Sequence, residues 1–213
     1  MSVAAAEKWD EIYTSRLTHA HLALEDLTPN PFLVLAQSYL PKQGRALDLA
    51  SGLGGDSLFL AQQGLEVDAW DASSVAMAWL ESERRRLGLV IRTRRIDIDP
   101  SAFDDQTFDV IHVHHFLDRS LCHSIAAALK PNGILVFSTF LTPFGLSETE
   151  RAALPGPSRS DFRLAPGELV DLFPTLNPVL HLETPEGERT PQALPKFHSL
   201  LVGQRSPSQV GVA

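Results

Sequence analysis

Short apolar runs alternate with amphipathic segments along the chain. The runs that predict parallel strands are Ala46–Leu49, Leu65–Asp71, Leu89–Ile98 and Phe108–Phe116. The segment between the second and third runs has a helical pattern, which serines can cap at its start and Gly88 ends. Strands that alternate with helices predict βαβ units, in which the parallel strands share one sheet.

The carboxyl-terminal part of the chain has a different pattern. A fifth strand, Ile134–Phe140, follows the turn Lys130–Gly133. Two later apolar runs, Leu176–Leu182 and Phe197–Arg205, are joined by a polar linker containing TPEGERTP. Two such runs predict an antiparallel hairpin at the end of the sheet. The residues after Arg205 are rich in Ser, Pro and Gly and predict a flexible tail.

The stretch Arg45–Gly64, RALDLASGLGGDSLFLAQQG, joins a strand to a helix through glycines. The strand carries Asp48 near its carboxyl end, and the turn contains Gly52, Gly54 and Gly55. Glycine adopts positive φ readily and lets the backbone approach a ligand closely. We predict that Asp56 or Ser57 caps the helix, because short polar side chains accept hydrogen bonds from its first amides.

A second acid, Asp71, ends the next predicted strand, where a carboxylate can accept both hydroxyl hydrogens of a ribose. A dinucleotide fold favours glycine or alanine at the sixth position of its glycine motif, but this chain has Ser57 there. The negative charge of Asp48 would also repel a pyrophosphate, whereas it suits an ammonium or sulfonium group. The pattern therefore favours a positively charged cofactor over a dinucleotide.

Asp-x-x-x-Gly-x-Gly followed by a strand that ends in Asp resembles the class I, Rossmann-like S-adenosylmethionine-dependent methyltransferases. EKWDEIY resembles the opening found before many small-molecule methyltransferase domains, and LKPNG resembles the Leu-Lys-Pro-Gly-Gly turn of the same family. FRLAPGELVDLF resembles the segment before the last helix of the tellurite-resistance and thiopurine-type members. The resemblance implies an α/β fold with a seven-stranded, mostly parallel sheet, helices on both faces and an antiparallel C-terminal hairpin. It also implies an N-terminal helical cap over residues 1–44, a cofactor-binding domain over 45–205 and a tail over 206–213.

The resemblance assigns cofactor-binding residues along the carboxyl ends of the first four strands. Asp48 would attract the methionine amino group, and Asp71 would hold the ribose. The glycine turn would approach the methionyl group, and Asp97 would bind the adenine amino group, although Asp99 competes for that role. The complete expected set is Asp48, Ala50, Gly52, Gly54, Asp71, Ala72, Asp97, Ile98 and His114.

Three histidines lie in the predicted fourth strand, FDVIHVHHF, where a buried parallel strand normally has aliphatic residues. Ligands of open α/β sheets bind beyond the carboxyl ends of the strands, so we expect His114 and His115 to line the acceptor pocket as the catalytic candidates. His112 is expected to pack in the sheet. Neighbouring strand residues point to opposite faces, which disfavours a metal site formed by His114 and His115.

Composition narrows the classes of function. The chain has 213 residues, a net charge of −8 and one cysteine, Cys122, which excludes an internal disulfide. Neither a membrane-spanning run nor a signal peptide is recognisable, so we expect a cytoplasmic protein without membrane partners. The acidic balance disfavours nucleic acid, and we expect no metal cofactor.

The leading hypothesis is methyl transfer from S-adenosylmethionine to a small molecule, such as a thiol or a selenium or tellurium oxyanion. An NAD(P)-dependent oxidoreductase is one alternative. A non-catalytic S-adenosylmethionine sensor is another, because methyl transfer requires no obligatory protein nucleophile. The sequence leaves the acceptor, the need for a general base and the oligomeric state open.

Overall fold

The computed structural model describes residues 3–18, 28–186 and 195–207. Seven strands form one sheet in the order β3-β2-β1-β4-β5-β7-β6. The strands are β1 (Arg45–Leu49), β2 (Glu66–Asp71), β3 (Ile91–Arg95), β4 (Phe108–His114), β5 (Leu129–Phe140), β6 (Leu176–Glu186) and β7 (Lys196–Arg205). The first five are parallel, and β7 runs antiparallel to both β5 and β6. The predicted Rossmann-like fold is confirmed.

Helices cover both faces of the sheet. They are α1 (Val3–Thr18), α2 (Pro31–Leu35), α3 (Gly55–Gln62), α4 (Ser74–Leu87), α5 (Cys122–Ala127), α6 (Glu148–Ala152) and α7 (Glu168–Asp171). Short 3₁₀ turns occupy Gln37–Tyr39, Pro100–Phe103, Arg119–Leu121 and Ser160–Phe162. One apolar cluster joins the sheet to α1–α4, and a second joins its other face to α5 and α7.

The segment Arg119–Leu129, between β4 and the LKPNG turn, contains only a short helix. Its first residues form a 3₁₀ turn, α5 ends at Ala127, and β5 begins at Leu129. The strand begins early because Leu129 pairs with Phe108, and a register shift then accommodates the LKPNG turn. A bulge of this kind adds residues to one strand without ending the pairing.

Helix α4 begins and ends as predicted. The Ser73 side chain accepts a hydrogen bond from the Ala76 amide, and Gly88 ends the helix with a φ of 66°. Ala78 and Leu87 are exposed, whereas the buried positions Ala76, Met77, Leu80 and Glu83 form one face at the helical period.

The arginine-rich strand β3 lies at the sheet edge, as expected from its polar positions. Arg92 pairs with Glu66 at 2.9 Å, and Arg84 pairs with Glu81 at 2.5 Å. These arginines are therefore bound to acids on the same surface, which supports the interpretation of a solvated face. Within the described residues, no helix is long and apolar enough to span a bilayer.

Helix α1 docks on the start of α4. The Asp10 carboxylate accepts hydrogen bonds from Ser73 Oγ at 2.5 Å, Ser74 Oγ at 2.8 Å and the Val75 amide at 3.2 Å. Desolvation opposes the charge, but these donors outweigh it and lower the pKa of Asp10. The link between α1 and α2, residues 19–27, and most of the predicted tail lie outside the described residues.

Candidate active site

The glycine turn between β1 and α3 lies at the carboxyl edge of the sheet. Gly54 has a φ of 84°, and a Cβ there would lie 2.5 Å from Leu80 Cδ1. Gly52 has a φ of 54°, and a Cβ there would lie 2.8 Å from the Tyr13 hydroxyl oxygen. Leu80 and Tyr13 therefore occupy the space beside these two positions, so only glycine fits there.

Ala50 also has a positive φ, 57°, which is unfavourable for a residue with a Cβ. Helix α3 starts directly after the glycines, with Gly54 as its N-cap. The prediction that Asp56 or Ser57 caps this helix was wrong, because both side chains are engaged in contacts with β1 and with the segment before α2.

Asp48 is buried under the turn. Its side chain accepts a hydrogen bond from Ser57 Oγ at 2.5 Å, and its Oδ1 lies 2.9 Å from His112 Nδ1. Strand register brings the two residues together, because Asp48 and His112 are paired positions of β1 and β4. A carboxylate has about four acceptor positions, so these two contacts leave capacity for a further donor.

His112 lies between Asp48 and Asn30, the N-cap residue of α2, and contacts both. Asn30 Oδ1 accepts from the Leu33 amide at 2.9 Å, so its amide nitrogen faces Asp56 Oδ2 at 2.8 Å and His112 Nε2 at 3.1 Å. His112 Nε2 therefore accepts a hydrogen bond, and Nδ1–H donates to Asp48. Burial disfavours the imidazolium, but the carboxylates of Asp56 and Asp48 outweigh it and raise the pKa of His112.

Asp71 lies at the end of β2, beside the glycine turn. Its carboxylate accepts from the Gly52 amide at 2.9 Å and from the Ser73 amide at 2.8 Å. Burial raises the pKa of the Asp71 carboxyl, although these amides act in the opposite direction. Asp71 thus fastens the turn to the start of α4, and one contact to each oxygen leaves acceptor positions for hydroxyl groups.

The remaining residues of the predicted cofactor surface follow β2 and β3. Ala72 is buried, and its carbonyl accepts from Arg95 Nε at 3.3 Å. Beyond β3, Asp97 is exposed, whereas the neighbouring Ile98 is buried in the second apolar cluster. Asp99 caps the following 3₁₀ turn through the Ser101 amide at 2.8 Å, which gives it a structural role.

A histidine cluster occupies the carboxyl ends of β4 and β5. The His114 and His115 rings stack with centroids 3.7 Å apart, so the expectation that they point to opposite faces was wrong. His115 follows the strand with a φ of 54°, and this left-handed conformation turns its side chain toward His114. The ring of Phe140 lies 4.2 Å from His115 on the same side.

Sequence analysis missed His198 in this cluster. His198 is paired with Phe140 across β5 and β7, and its Nε2 lies 2.9 Å from His115 Nε2. A histidine inside the apolar run of β7 was the available signal, but only the antiparallel register shows where it points. His114 Nδ1 lies 2.8 Å from Ser138 Oγ. No group of three or more metal-binding side chains was found among the described residues.

Burial and neighbouring histidines keep this cluster uncharged. Desolvation, followed by repulsion from His115, His112 and His198, places the pKa of His114 well below 6.5. Desolvation with repulsion from His198 and Lys196 lowers the pKa of His115 to about 3. His115 is exposed along one edge, so water moderates its shift more than that of His114.

These shifts predict a loss of stability in mild acid. The unfolded chain binds protons at His114 and His115 below about pH 6.5, whereas the folded chain does not, so their contribution is present above that pH and declines below it. The slope is at most about 1.4 kcal/mol per pH unit for the less exposed His114, and it is smaller for His115, because water solvates part of its exposed ring. We expect the double variant His114→Asn, His115→Asn to lack this pH-dependent part of the free energy of unfolding. Urea unfolding at several values between about pH 7.5 and 5 measures it.

The difference in the free energy of unfolding between the variant and the wild type at each pH separates the contribution of His114 and His115 from contributions of opposite sign. His112 and Asp56 have raised pKa values and therefore stabilise the folded state at lower pH. The variant retains both groups, so their contribution cancels in the difference. A stability difference that is independent of pH would contradict the assignment of His114 and His115 as neutral groups.

A cavity of about 310 Å³ opens at the opposite edge of the sheet, beside Tyr39, Pro131 and Gln204. Its acid, Asp109, accepts from Lys130 Nζ at 2.7 Å and from the Arg45 amide at 2.7 Å. These contacts give Asp109 a structural role and separate this cavity from the acids at the carboxyl edge.

Comparison with known families identifies the domain that carries these features. Residues 46–133, from β1 through the turn inside β5, match the family model described as a methyltransferase domain. This part of the chain is thus similar to a methyltransferase domain, and S-adenosylmethionine as the cofactor agrees with the expectation from the glycine turn and the two acids. A relative, demethylmenaquinone methyltransferase of Clavibacter sepedonicus, is 36% identical over 106 residues, 46% of this chain and 42% of the relative.

Solved structures extend the likeness of the methyltransferase domain to the whole fold. TehB from Haemophilus influenzae has a TM-score of 0.64 at 17% identity and covers 93% of this chain and 67% of its own. The 1,6-didemethyltoxoflavin-N1-methyltransferase of Burkholderia thailandensis, with S-adenosylhomocysteine bound, has a TM-score of 0.61 at 18% identity. The match covers 95% of this chain and 89% of that protein. The resemblance to the tellurite-resistance type is thus confirmed at the level of the fold.

Proposed function

We propose that the protein transfers the methyl group of S-adenosylmethionine to a small-molecule acceptor. The observation that carries this proposal is the glycine turn held between two buried acids, Asp48 and Asp71. Gly52 and Gly54 belong to this turn, and we place the methionyl group of the cofactor against its backbone. S-adenosylmethionine supplies an electrophilic methyl group on a positively charged sulfur.

Each part of the site has a proposed task. Asp48 attracts the amino group of the methionyl moiety, and the backbone at Ala50, Gly52 and Gly54 supports it. Asp71 and Ala72 hold the ribose, while Asp97 and Ile98 bind the adenine. Tyr13 of α1 lies over the glycine turn, which supports the proposal that residues 1–44 act as a cap over the domain at 45–205.

The proposed acceptor pocket lies above β4 and β5, where His114 and His115 are the catalytic candidates. Aromatic rings surround these histidines, because Phe140 lies 4.2 Å from the His115 ring and the buried Phe32 lies 5.2 Å from the His198 ring. Rings and uncharged imidazoles favour a compact or planar acceptor with few charges. A thiol or a selenium or tellurium oxyanion remains a candidate, and flat ring compounds belong in the same screen.

Thermal shift with separate ligands tests the cofactor assignment. S-adenosylhomocysteine is expected to raise the melting temperature, and NAD is not, because ligands that bind the folded state stabilise it by mass action. Stabilisation by NAD alone would overturn the proposal. A screen of thiols, selenite, tellurite, phenols and flat heterocycles with S-adenosylmethionine then tests transfer. Binding without turnover of any acceptor would favour a sensor.

A further inference from the structure

His115 and His198 form a contact whose geometry requires one shared hydrogen. Their Nε2 atoms are 2.9 Å apart, and two bare nitrogens or two N–H groups would repel each other at that distance. One ring therefore donates from Nε2 and the other accepts. His198 is fully buried and His115 is exposed along one edge, so the pair extends from the pocket surface into the sheet.

The surroundings orient the pair and keep it uncharged. Phe140 stacks on His115 and also contacts His198 at 5.0 Å, while Phe32 covers His198 at 5.2 Å. Burial, with repulsion from His198 and from Lys196 on β7, opposes protonation of His115. The other titratable and charged groups nearby are His114, which stacks on His115, His112, which stacks on His114, and Arg163, which lies over the Phe140 ring.

We propose that His115 is the proton acceptor for methyl transfer and that His198 positions it, so that the methyl acceptor is a hydroxyl, amine or thiol that carries a proton. The inference rests on the proposed function and assigns roles within the same pocket. The proposal takes His115 Nε2–H as the donor to His198 Nε2, which places the hydrogen of His198 on its buried Nδ1 and leaves His115 Nδ1 bare as the base. Each ring of the stacked pair has one nitrogen engaged, and His115 is taken as the base because it is more exposed than His114.

The step balances without another reagent. A lone pair of the acceptor forms the bond to the methyl carbon, and the carbon–sulfur bond breaks with its electrons passing to sulfur. The acceptor proton moves to His115 Nδ1, and the positive charge lost from sulfur is then carried by the imidazole pair. The hydrogen bond from the charged His115 ring to His198 becomes stronger, since charge-assisted hydrogen bonds exceed neutral ones.

Nitrogen NMR of the full chain with S-adenosylhomocysteine tests the assignment without an acceptor. In ¹⁵N-histidine-labelled protein near pH 7, we expect His115 to carry its hydrogen on Nε2 and to have a bare Nδ1. His198→Phe should abolish this preference, whereas His198→Gln should preserve it, because the glutamine oxygen can accept from Nε2–H. A hydrogen on His115 Nδ1 in the wild type would overturn the proposal.

Rates with two matched probes test the proton transfer. At about pH 8, 2-naphthalenethiol is largely ionised and 2-naphthol is protonated. His115→Asn is suited to the site because asparagine tolerates positive φ. We expect it to slow methylation of the naphthol by about a hundredfold or more and that of the thiol by less than about threefold. His114→Asn is the control and should affect the two probes equally.

An equal loss on both probes in His115→Asn would overturn the role of His115 as a base. If the wild type binds S-adenosylhomocysteine but methylates neither probe, the proposed methyl transfer to this class of acceptor is wrong. The NMR result then still decides which nitrogen of His115 carries the hydrogen. Loss of cofactor binding would instead contradict the proposed function.

Discussion

His112→Ala is expected to reduce the free energy of unfolding by about 3–5 kcal/mol, the cost of leaving a buried carboxylate without its partner. The His112 side chain is 1% exposed and that of Asp48 is 2% exposed, so water cannot replace the lost contact without opening the core. The Asn30 amide nitrogen would also lose one of its two acceptors and retain Asp56 Oδ2. Urea unfolding of the two proteins at pH 7 measures the difference.

His123→Ala is the matched control, because His123 is exposed on α5, and its loss should change stability by less than about 0.5 kcal/mol. His112→Asn retains a donor that can reach toward Asp48, so we expect an intermediate loss. A His112→Ala protein as stable as the control would show that the Asp48–His112–Asn30 contacts contribute nothing to the fold.

Asp71→Ala is expected to weaken binding of S-adenosylhomocysteine by about a hundredfold or more. Two hydrogen bonds from ribose hydroxyls to a carboxylate amount to about 3 kcal/mol or more, and each 1.4 kcal/mol is a factor of ten. The variant also leaves the Gly52 and Ser73 amides without their acceptor, so the glycine turn loses its attachment to α4. Calorimetric titration with S-adenosylhomocysteine measures the loss.

Asp68→Ala is the control that separates the loss of a cofactor contact from a general loss of stability. Asp68 lies on the same strand and is also buried, but its carboxylate binds Arg45 Nε at 2.6 Å and points away from the carboxyl edge. We expect this variant to lose stability and to retain affinity. Asp71→Asn keeps one acceptor oxygen and should bind with intermediate affinity. Wild-type affinity in Asp71→Ala would remove Asp71 from the cofactor site.

The sequence alone determined the elements and their order. The strand that ends near Asp48, the glycine turn and the strand that ends in Asp71 could all be found by local pattern, because periodicity, turn chemistry and spacing act over a few residues. Helix α4 likewise begins after Ser73 and ends at Gly88 as predicted, since capping depends on adjacent backbone groups.

Tertiary structure decided which side chains meet. Asp48 and His112 are 64 positions apart, and His115 and His198 are 83 apart, so their contacts depend on the register of β1 with β4 and of β5 with β7. A one-residue change of register would turn each side chain to the other face of the sheet. The positive φ of His115 likewise cannot be inferred from strand alternation, because backbone conformation there is set by the packing of the strand end. Local chemistry thus fixed where the acids and glycines lie, and long-range register fixed what they touch.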